Sequence, residues 1–194
     1  MLTSAHIHSL TLPDALFSSP VYSIVCPVVL GAAIGYATRP DKTKAIYRAL
    51  KQPPLNPPAW LFGPVWTTLY AGMGYASHRA WVAGINSLDP EVVHATKVGA
   101  GLYLGQLVLN YAWMPLFFTF YRPVEATADI VALIGAVATL AHTWHQVDET
   151  AAWILAPYLA WLAFATYLSA GAGYLNNWDF SRFKGAADRD IKRD

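Results

Sequence analysis

The residues best suited to binding a small molecule lie in two stripes of aromatic and polar side chains. Residues three or four positions apart share one face of an α-helix. The two stripes comprise Trp66, Tyr70 and Met73, and Gln106, Asn110 and Trp113. Trp and Tyr rings offer flat apolar area plus a hydrogen-bonding group, which suits a planar macrocycle or a fused-ring ligand. The spacing therefore predicts a binding pocket between helices.

A third stripe comprises Pro157, Trp161, Ala165 and Leu168. Ala165 leaves room beside the indole of Trp161. An amide side chain in an apolar segment needs a partner, so Gln106 and Asn110 should point inward. Asn110 could contact ligand or bond a neighbouring helix, and each aromatic ring could instead pack the core or anchor the lipid interface. We expect ligand contacts from ten residues: Trp60, Trp66, Tyr70, Gln106, Asn110, Trp113, Trp144, Trp161, Ala165 and Leu168.

Other titratable groups give weaker signals. His142 and His145 stand three apart and could ligate haem or a metal, but they lack carboxylate or thiolate companions. An interfacial, hydrogen-bonded role is the alternative. Glu125 and Asp129 are better explained as helix N-terminal charges than as paired catalytic carboxylates. The sequence has no nucleophile triad, P-loop or dinucleotide fingerprint, so we expect no catalytic residue, no metal site and no required cofactor.

These stripes lie in long stretches without a charged residue. The chain has 194 residues, 55% hydrophobic and 13% charged, and is too apolar for an ordinary soluble domain. Its uncharged stretches cover residues 15–38, 52–78, 98–121, 130–147 and 150–178. Each can hold a membrane span of roughly 20 residues. A soluble α-bundle, the alternative, would need a polar outer face on each helix. We therefore predict an all-α integral membrane bundle of five transmembrane helices.

The basic residues predict the orientation of this bundle. With five spans, eleven of the thirteen Lys and Arg residues share the face of the C-terminus, and only Arg79 and Lys97 lie on the other. By the positive-inside rule, the C-terminus is cytosolic and the N-terminus is not. Asp148 and Glu149 form a short acidic turn between helices that we expect to be solvated.

The charge pattern also predicts the domain boundaries. We expect a disordered extension over residues 1–19, a five-helix domain over 20–178 and a polar tail over 179–194. The predicted helices are about 20–38, 61–82, 93–114, 124–147 and 150–176. Residues 40–60 should form a lid loop, with a short helix near 43–50 followed by extended chain, because the prolines at 53, 54, 57 and 58 disfavour helix.

Small residues recur four apart in three of the spans. Glycine at such positions lets two helix backbones approach closely in lipid. These pairs can pack helices within one bundle, or one of them can form a homodimer face. The pairs are Gly31 and Gly35, Gly72 and Ala76, and Gly101 and Gly105.

Composition excludes two other classes of protein. A formal net charge of +1, with no basic run interleaved with aromatics, argues against nucleic-acid binding. A single cysteine, Cys26, cannot form a disulfide or a thiolate cluster within one chain. The expected partners are membrane lipid and hydrophobic small molecules.

Three segments resemble a known family. The string PPAWLFGPVWTTLYAGMGYA, from Pro57 to Ala76, resembles the second-helix signature of the translocator protein family, also called tryptophan-rich sensory proteins or peripheral benzodiazepine receptors (TspO/MBR). GQLVLNYAWMPLFF, from Gly105, is similar to its third helix, and PYLAWLAFATYL, from Pro157, to its fifth. With Asp129, the resemblance extends over residues 21–168.

The resemblance implies a five-helix bundle, usually dimeric, with a cavity closed by the first loop. It implies binding of porphyrin or haem, sterols and benzodiazepine-type ligands, in a receptor or in a carrier for tetrapyrrole or sterol transport. Two alternatives stay open: a porphyrin-degrading photo-oxidative enzyme and a membrane scaffold. It also implies the mitochondrial outer membrane or endoplasmic reticulum in a eukaryote, and the cell envelope in a bacterium.

The sequence departs from the family pattern at three places. Leu55 stands where the family usually has a Trp, and residues 169–171 replace its Asn and aromatic. Tyr174 has no basic residue before Arg182, so the cholesterol-recognition pattern fails. The failed cholesterol-recognition pattern favours tetrapyrrole over sterol as the ligand.

Overall fold

The computed structural model describes residues 12–38 and 40–183, and this part of the chain is helical with no strand. Eight α-helices follow one another along it. A π-helical turn, Pro115–Thr119, follows α5, and a 3₁₀ turn, Ser181–Phe183, follows α8. The helices are α1 (Leu12–Phe17), α2 (Pro20–Ala37), α3 (Pro40–Ala49), α4 (Ala59–Gly84), α5 (Pro90–Met114), α6 (Pro123–His145), α7 (Glu149–Ile154) and α8 (Ala156–Leu175).

Four helical segments of the described chain are long and apolar enough to cross a membrane: Pro20–Ala37, Pro90–Thr119, Pro123–His145 and Glu149–Leu175. Many large apolar side chains on them face outward, including Val29, Val108 and Val131. A water-soluble bundle would expose polar side chains there instead. Helix α4 has 26 residues but is less apolar, because it is rich in Trp, Tyr, Thr and Gly. The chain is therefore an all-α integral membrane protein.

Proline sets the ends of several helices. Asp89 caps α5, its side chain accepting from the Glu91 backbone N–H at 2.9 Å, and Pro90 follows at the first helical position. Near the C-terminus, α7 and α8 are separate where we expect one helix over 150–176. Pro157 explains the break, because it lacks an N–H and its ring disfavours a continuous helix through the preceding turn.

The acidic turn between α6 and α7 is only partly solvated: Glu149 is exposed, as predicted, whereas Asp148 is mostly covered by the residues it binds. The Asp148 carboxylate accepts from the Ala151 backbone N–H at 2.9 Å, which caps α7. Its other oxygen pairs with Arg79 of α4 at 2.8 Å. Of the two acids near the start of α6, only Glu125 lies in its first turn, paired with Arg122 at 3.2 Å. Asp129 lies one turn deeper, and its Oδ2 is buried with no hydrogen-bond partner among the described residues.

The predicted disordered extension is ordered from residue 12 onward. Helix α1 occupies residues 12–17 and ends in Phe17, which is buried against the rings of Trp81 and Tyr103, with centroids 5.4 and 5.8 Å away. The Phe17 carbonyl accepts from His78 Nδ1 at 2.8 Å. This packing orders the segment. Residues 1–11 lie outside the described residues.

Two glycines bring α2 and α4 into close contact. A Cβ at Gly74 would meet the Ser23 carbonyl oxygen and would stand 2.9 Å from Ile24 Cα. A Cβ at Gly31 would collide with the ring of Tyr70. Both glycines therefore pack helices within one chain. At Gly35, Gly101 and Gly105, a Cβ would contact no described residue within 4 Å beyond the backbone of its own helix.

Helix α3 and the following loop are held by a second core at one end of the bundle. Ile46 and Leu50 of α3 are buried there with Phe117 and Phe180. The Asn176 amide, just after α8, donates to the Lys51 carbonyl at 2.9 Å and accepts from the Lys51 N–H at 3.2 Å. The segment predicted as a lid thus includes a ten-residue helix tied to the end of α8.

Tyr47 fixes the proline-rich loop to α3. Its hydroxyl donates to the Pro57 carbonyl at 2.7 Å, and its backbone carbonyl accepts from Gln52 Nε2 at 2.9 Å. Partial burial raises the pKa of the Tyr47 hydroxyl, while a hydrogen bond with Asn56 acts in the opposite direction. The loop is therefore held across the end of the bundle by specific hydrogen bonds.

Candidate functional site

An apolar cavity adjoins the loop between α3 and α4. This main cavity measures about 390 Å³, within the range usual for small-molecule sites. It opens between α2, α3, α4 and the end of α5. Its walls are Val28, Gly31, Ala32, Gly35, Thr43, Lys44, Tyr47, Ala59, Phe62, Gly63, Trp66, Thr67, Tyr70, Asn110, Trp113, Met114 and Phe118.

Glycine creates much of this space. Gly31, Gly35 and Gly63 line the main cavity, and a Cβ at Gly35 or Gly63 would have no contact within 4 Å beyond its own helix backbone among the described residues. At Gly31 the missing side chain instead makes room for the Tyr70 ring. Aromatic rings, among them Trp66 and Trp113, line the same cavity, so a flat ligand that enters it would contact both rings and open glycine backbone.

A much smaller inner cavity, about 20 Å³, lies behind the main one. Phe62, Trp66, Asn110 and Trp113 line both spaces and form the partition between them. The far wall of the inner cavity comprises Ile130, Leu133, Trp161, Leu162 and Ala165. Movement of the partition would join the two spaces.

Rings of the partition pack edge to face against Trp161, on the far wall of the inner cavity. Trp66 and Trp161 are perpendicular, with centroids 6.5 Å apart at 88°, and Phe62 meets Trp161 at 6.0 Å and 68°. The Nε1 atoms of Trp113 and Trp161 are buried and have no acceptor among the described residues. A buried indole N–H normally has a partner, so these two donors suit an acceptor atom of a ligand or a bound water.

Asn110 is held by a hydrogen-bonded chain through the middle of the bundle. Its Oδ1 accepts from the Tyr70 hydroxyl, and its Nδ2 donates to the Tyr158 oxygen at 2.8 Å. The Tyr158 hydroxyl donates to Gln106 Oε1 at 2.9 Å, and Gln106 Nε2 lies 3.6 Å from the Met73 sulfur. These contacts join α4, α5 and α8. Asn110 thus bonds neighbouring helices and lines the cavity as well.

The structure brings six of the ten expected residues to the two cavities. Four line the main cavity and two, Trp161 and Ala165, line only the inner one. Gln106 is buried in the hydrogen-bonded chain, and Leu168 is buried but lines neither space. The four in the main cavity are Trp66, Tyr70, Asn110 and Trp113.

The remaining two aromatic residues lie elsewhere. Trp60 is 70% exposed at the first turn of α4, outside the main cavity. Trp144 is buried at the other end of the bundle, beside Gly99 and 5.8 Å from the Tyr103 ring. A Cβ on Gly99 would collide with the Trp144 indole, so this Trp is a packing residue of the α5 and α6 contact.

Sequence reasoning missed Tyr158. The stripe expected on the last span runs through Pro157 and Trp161, but Pro157 is exposed, and the buried face runs through Tyr158, Leu162 and Ala165. These three also have helical spacing. The available signal was the need of Gln106 and Asn110 for polar partners, which a neighbouring Tyr satisfies.

His142 and His145 are exposed on α6. His142 lies 3.5 Å from the Gln146 amide. Among the described residues, no group of three or more His, Cys, Asp or Glu side chains is arranged to hold a metal ion.

Several known proteins are similar to this chain in sequence. A fission yeast protein (Schizosaccharomyces pombe) named translocator protein homolog is 46% identical over 151 residues, which cover 77% of this chain and 87% of that protein. The human translocator protein is 44% identical over 123 residues, 63% of this chain and 70% of that protein. Tryptophan-rich protein TspO of Archaeoglobus fulgidus is 34% identical over 157 residues, 80% of this chain and 95% of that protein.

The pattern of the TspO/MBR family matches residues 23–175, which contain both cavities and the whole Asn110 hydrogen-bonded chain. With this match and these relatives, the chain belongs to the TspO/MBR family of membrane proteins.

Proposed function

We propose that this protein is a membrane receptor or carrier that binds a hydrophobic planar ligand in the main cavity. The observation that carries the proposal is the cavity itself, which is lined by the rings of Trp66, Tyr70 and Trp113 and widened by Gly35 and Gly63. Porphyrin or haem is the preferred ligand class, with sterols and benzodiazepine-type molecules as further candidates. No cofactor is required, and the role fits tetrapyrrole or sterol transport.

The proposed topology has five spans, with α4 as the second. Helix α4 has 26 residues, roughly 39 Å of helix, which exceeds the hydrocarbon core of a bilayer. It packs along α2, and Tyr and Trp side chains account for its lower hydropathy. With five spans the C-terminus is cytosolic and the N-terminus is not. The organelle follows from the host: mitochondrial outer membrane or endoplasmic reticulum in a eukaryote, the cell envelope in a bacterium.

A homodimer through the outer face of α5 is part of the proposal. Gly101 and Gly105 are exposed there, four apart, and a Cβ on either would meet nothing within 4 Å. Leu104 and Val108 flank them and are also exposed. Gly31, by contrast, is already used against Tyr70 inside the chain. Among the three predicted pairs, α5 thus offers the open face for a second copy.

Titration with protoporphyrin tests the proposal. We expect the purified chain in detergent to lose Trp fluorescence on adding protoporphyrin and to saturate at one ligand per chain, because the indoles of Trp66 and Trp113 line one cavity. The control is free tryptophan in the same detergent without the protein, which measures the loss of fluorescence caused by light absorption of protoporphyrin alone. Quenching that grows without saturation, as in the control, would contradict a defined site.

The same sample tests the enzymatic alternative. Trp66 and Trp161 are in ring contact beside the cavity, so light-driven radical oxidation of a bound porphyrin by dioxygen could pass through these indoles. Illumination in air followed by mass spectrometry separates the two functions. If the protein is a receptor or carrier, bound porphyrin is oxidised no faster than free porphyrin in detergent. If it is an enzyme, the oxidised product forms faster in the presence of the protein. A scaffold role would be retained by a variant that has lost all ligand binding.

A further inference from the structure

A second depression lies outside the main cavity, on the surface formed by α3, the proline-rich loop and the first turn of α4. This α3 groove measures about 800 Å³ and is open along one side. Lys44 and Tyr47 line both the groove and the main cavity, so the two spaces adjoin. Arg48, Gln52, Asn56 and Trp60 line only the groove.

The α3 groove is positively charged. Lys44 and Arg48 stand four apart on α3, so both side chains leave the same face of the helix, and both are exposed. Neither forms an ion pair with another residue of the described chain. The acid described on α3 is Asp41, at its first turn, and it does not line the groove. An anion held between the two cations would therefore face no carboxylate on the groove wall.

Trp60 adds an apolar surface at one edge of this basic groove. Its indole is 70% exposed although it begins a long membrane-buried helix, and Pro57 and Pro58 of the loop lie beside it on the groove wall. An indole at the end of a spanning helix typically lies at the level of the lipid headgroups. The groove thus joins cationic donors to an interfacial ring, and a ligand that fits it needs an anionic head and an apolar body.

We infer that the α3 groove binds the headgroup of an anionic phospholipid, with the phosphate between Lys44 and Arg48 and the upper acyl chain against Trp60. The guanidinium of Arg48 can donate two parallel hydrogen bonds to phosphate oxygens, and Lys44 adds a point charge. The choice of leaflet rests on the proposed topology, in which α3 faces the cytosol, where anionic lipids are concentrated. A free phosphate would use the two cations but would leave Trp60 without a role.

Brominated lipids test this site in the full chain. Bromine on the upper acyl chain quenches nearby indoles, so Trp fluorescence in mixed micelles is titrated with brominated phosphatidylserine and, separately, with brominated phosphatidylcholine of the same chains. We expect phosphatidylserine to bind more tightly by about fivefold for each basic residue engaged. Arg48→Gln should reduce this preference about fivefold, and the Lys44→Gln, Arg48→Gln double variant should abolish it.

Matched variants separate a site from general attraction. Lys97→Gln with Arg122→Gln removes the same charge from exposed positions outside the groove and should keep the preference. Arg48→Lys keeps a charge and should retain part of it, which covers the case that Arg48→Gln does not fold. Trp60→Phe should remove the saturable part of the phosphatidylserine quenching while leaving the other indoles as they are.

Three results would overturn the inference. Equal affinity of the wild-type chain for both lipids would show that the groove does not select an anionic headgroup. An equal loss of preference in the Lys97 and Arg122 control would show that the preference for phosphatidylserine follows the net charge of the protein and not a site. Displacement of phosphatidylserine by millimolar glycerophosphate, with Trp60→Phe unchanged, would show that the groove recognises phosphate alone. None of these results depends on protoporphyrin binding, so failure here leaves the proposed function to its own test.

Discussion

Replacing Trp66 with alanine is expected to weaken protoporphyrin binding roughly thirty-fold. Trp66 lines both cavities and contacts Tyr70, Tyr158 and Trp161, with ring centroids 5.7, 6.2 and 6.5 Å away. Losing about half of an indole's contact area removes about 2 kcal/mol of apolar binding free energy. The main and inner cavities would also merge, which leaves the ligand less constrained.

The binding assay should follow the absorbance of the ligand, because removal of an indole alters protein fluorescence directly. Trp153→Ala is the matched control: Trp153 is 66% exposed on α7 and lines neither cavity. Trp66→Phe keeps a ring and should lose less than Trp66→Ala. Unchanged affinity in a folded Trp66→Ala protein, or an equal loss in Trp153→Ala, would show that Trp66 does not contribute to the binding site.

Replacing Gly74 with alanine should lower the thermal unfolding midpoint. The new Cβ would collide with the Ser23 carbonyl and stand 2.9 Å from Ile24 Cα. These are backbone atoms of α2, which cannot rotate away as a side chain can. Overpacking of this kind costs about 1–3 kcal/mol, more than the gain of roughly 0.5–1 kcal/mol from replacing a helical glycine.

Gly135→Ala supplies the control for this experiment. Gly135 lies on the outer face of α6, and a Cβ there meets nothing within 4 Å. The control should unfold at the wild-type temperature or slightly above it. Both proteins are heated in the same detergent and followed by circular dichroism at 222 nm. A Gly74→Ala midpoint at or above that of Gly135→Ala would show that α2 and α4 do not approach as closely as the structure has them.

The membrane class was predictable because charge is expensive in hydrocarbon. Long uncharged stretches therefore mark the helices, whatever their details. The spacing rule also found the core of the site, since Trp66 and Tyr70, like Asn110 and Trp113, share a helix face and line one cavity. Spacing identifies a shared face, but it does not say which neighbour that face meets.

The incorrect site predictions arise because helical spacing does not identify the neighbour that a helix face contacts. The sequence does not distinguish the Trp residues that line a cavity from those that pack the core. Trp144 is identified as a core residue only by its packing against Gly99. Tyr158 was missed because the stripe through Trp161 and the stripe through Tyr158 both have helical spacing, and tertiary packing chooses between them. Asp148 has a role that depends on Arg79, 69 positions earlier in the chain, and no local pattern connects the two.

The most direct test of the central claim fills the main cavity while leaving every described wall residue but Gly35 in place. Gly35 lines the cavity and has open space at its Cβ, so Gly35→Phe should place a ring in the ligand position. Gly135→Phe adds the same ring to the outer face of α6. The account predicts that Gly35→Phe loses saturable protoporphyrin binding while keeping the helical spectrum and elution volume of the wild type, and that Gly135→Phe binds normally. Full affinity in a folded Gly35→Phe protein would contradict it.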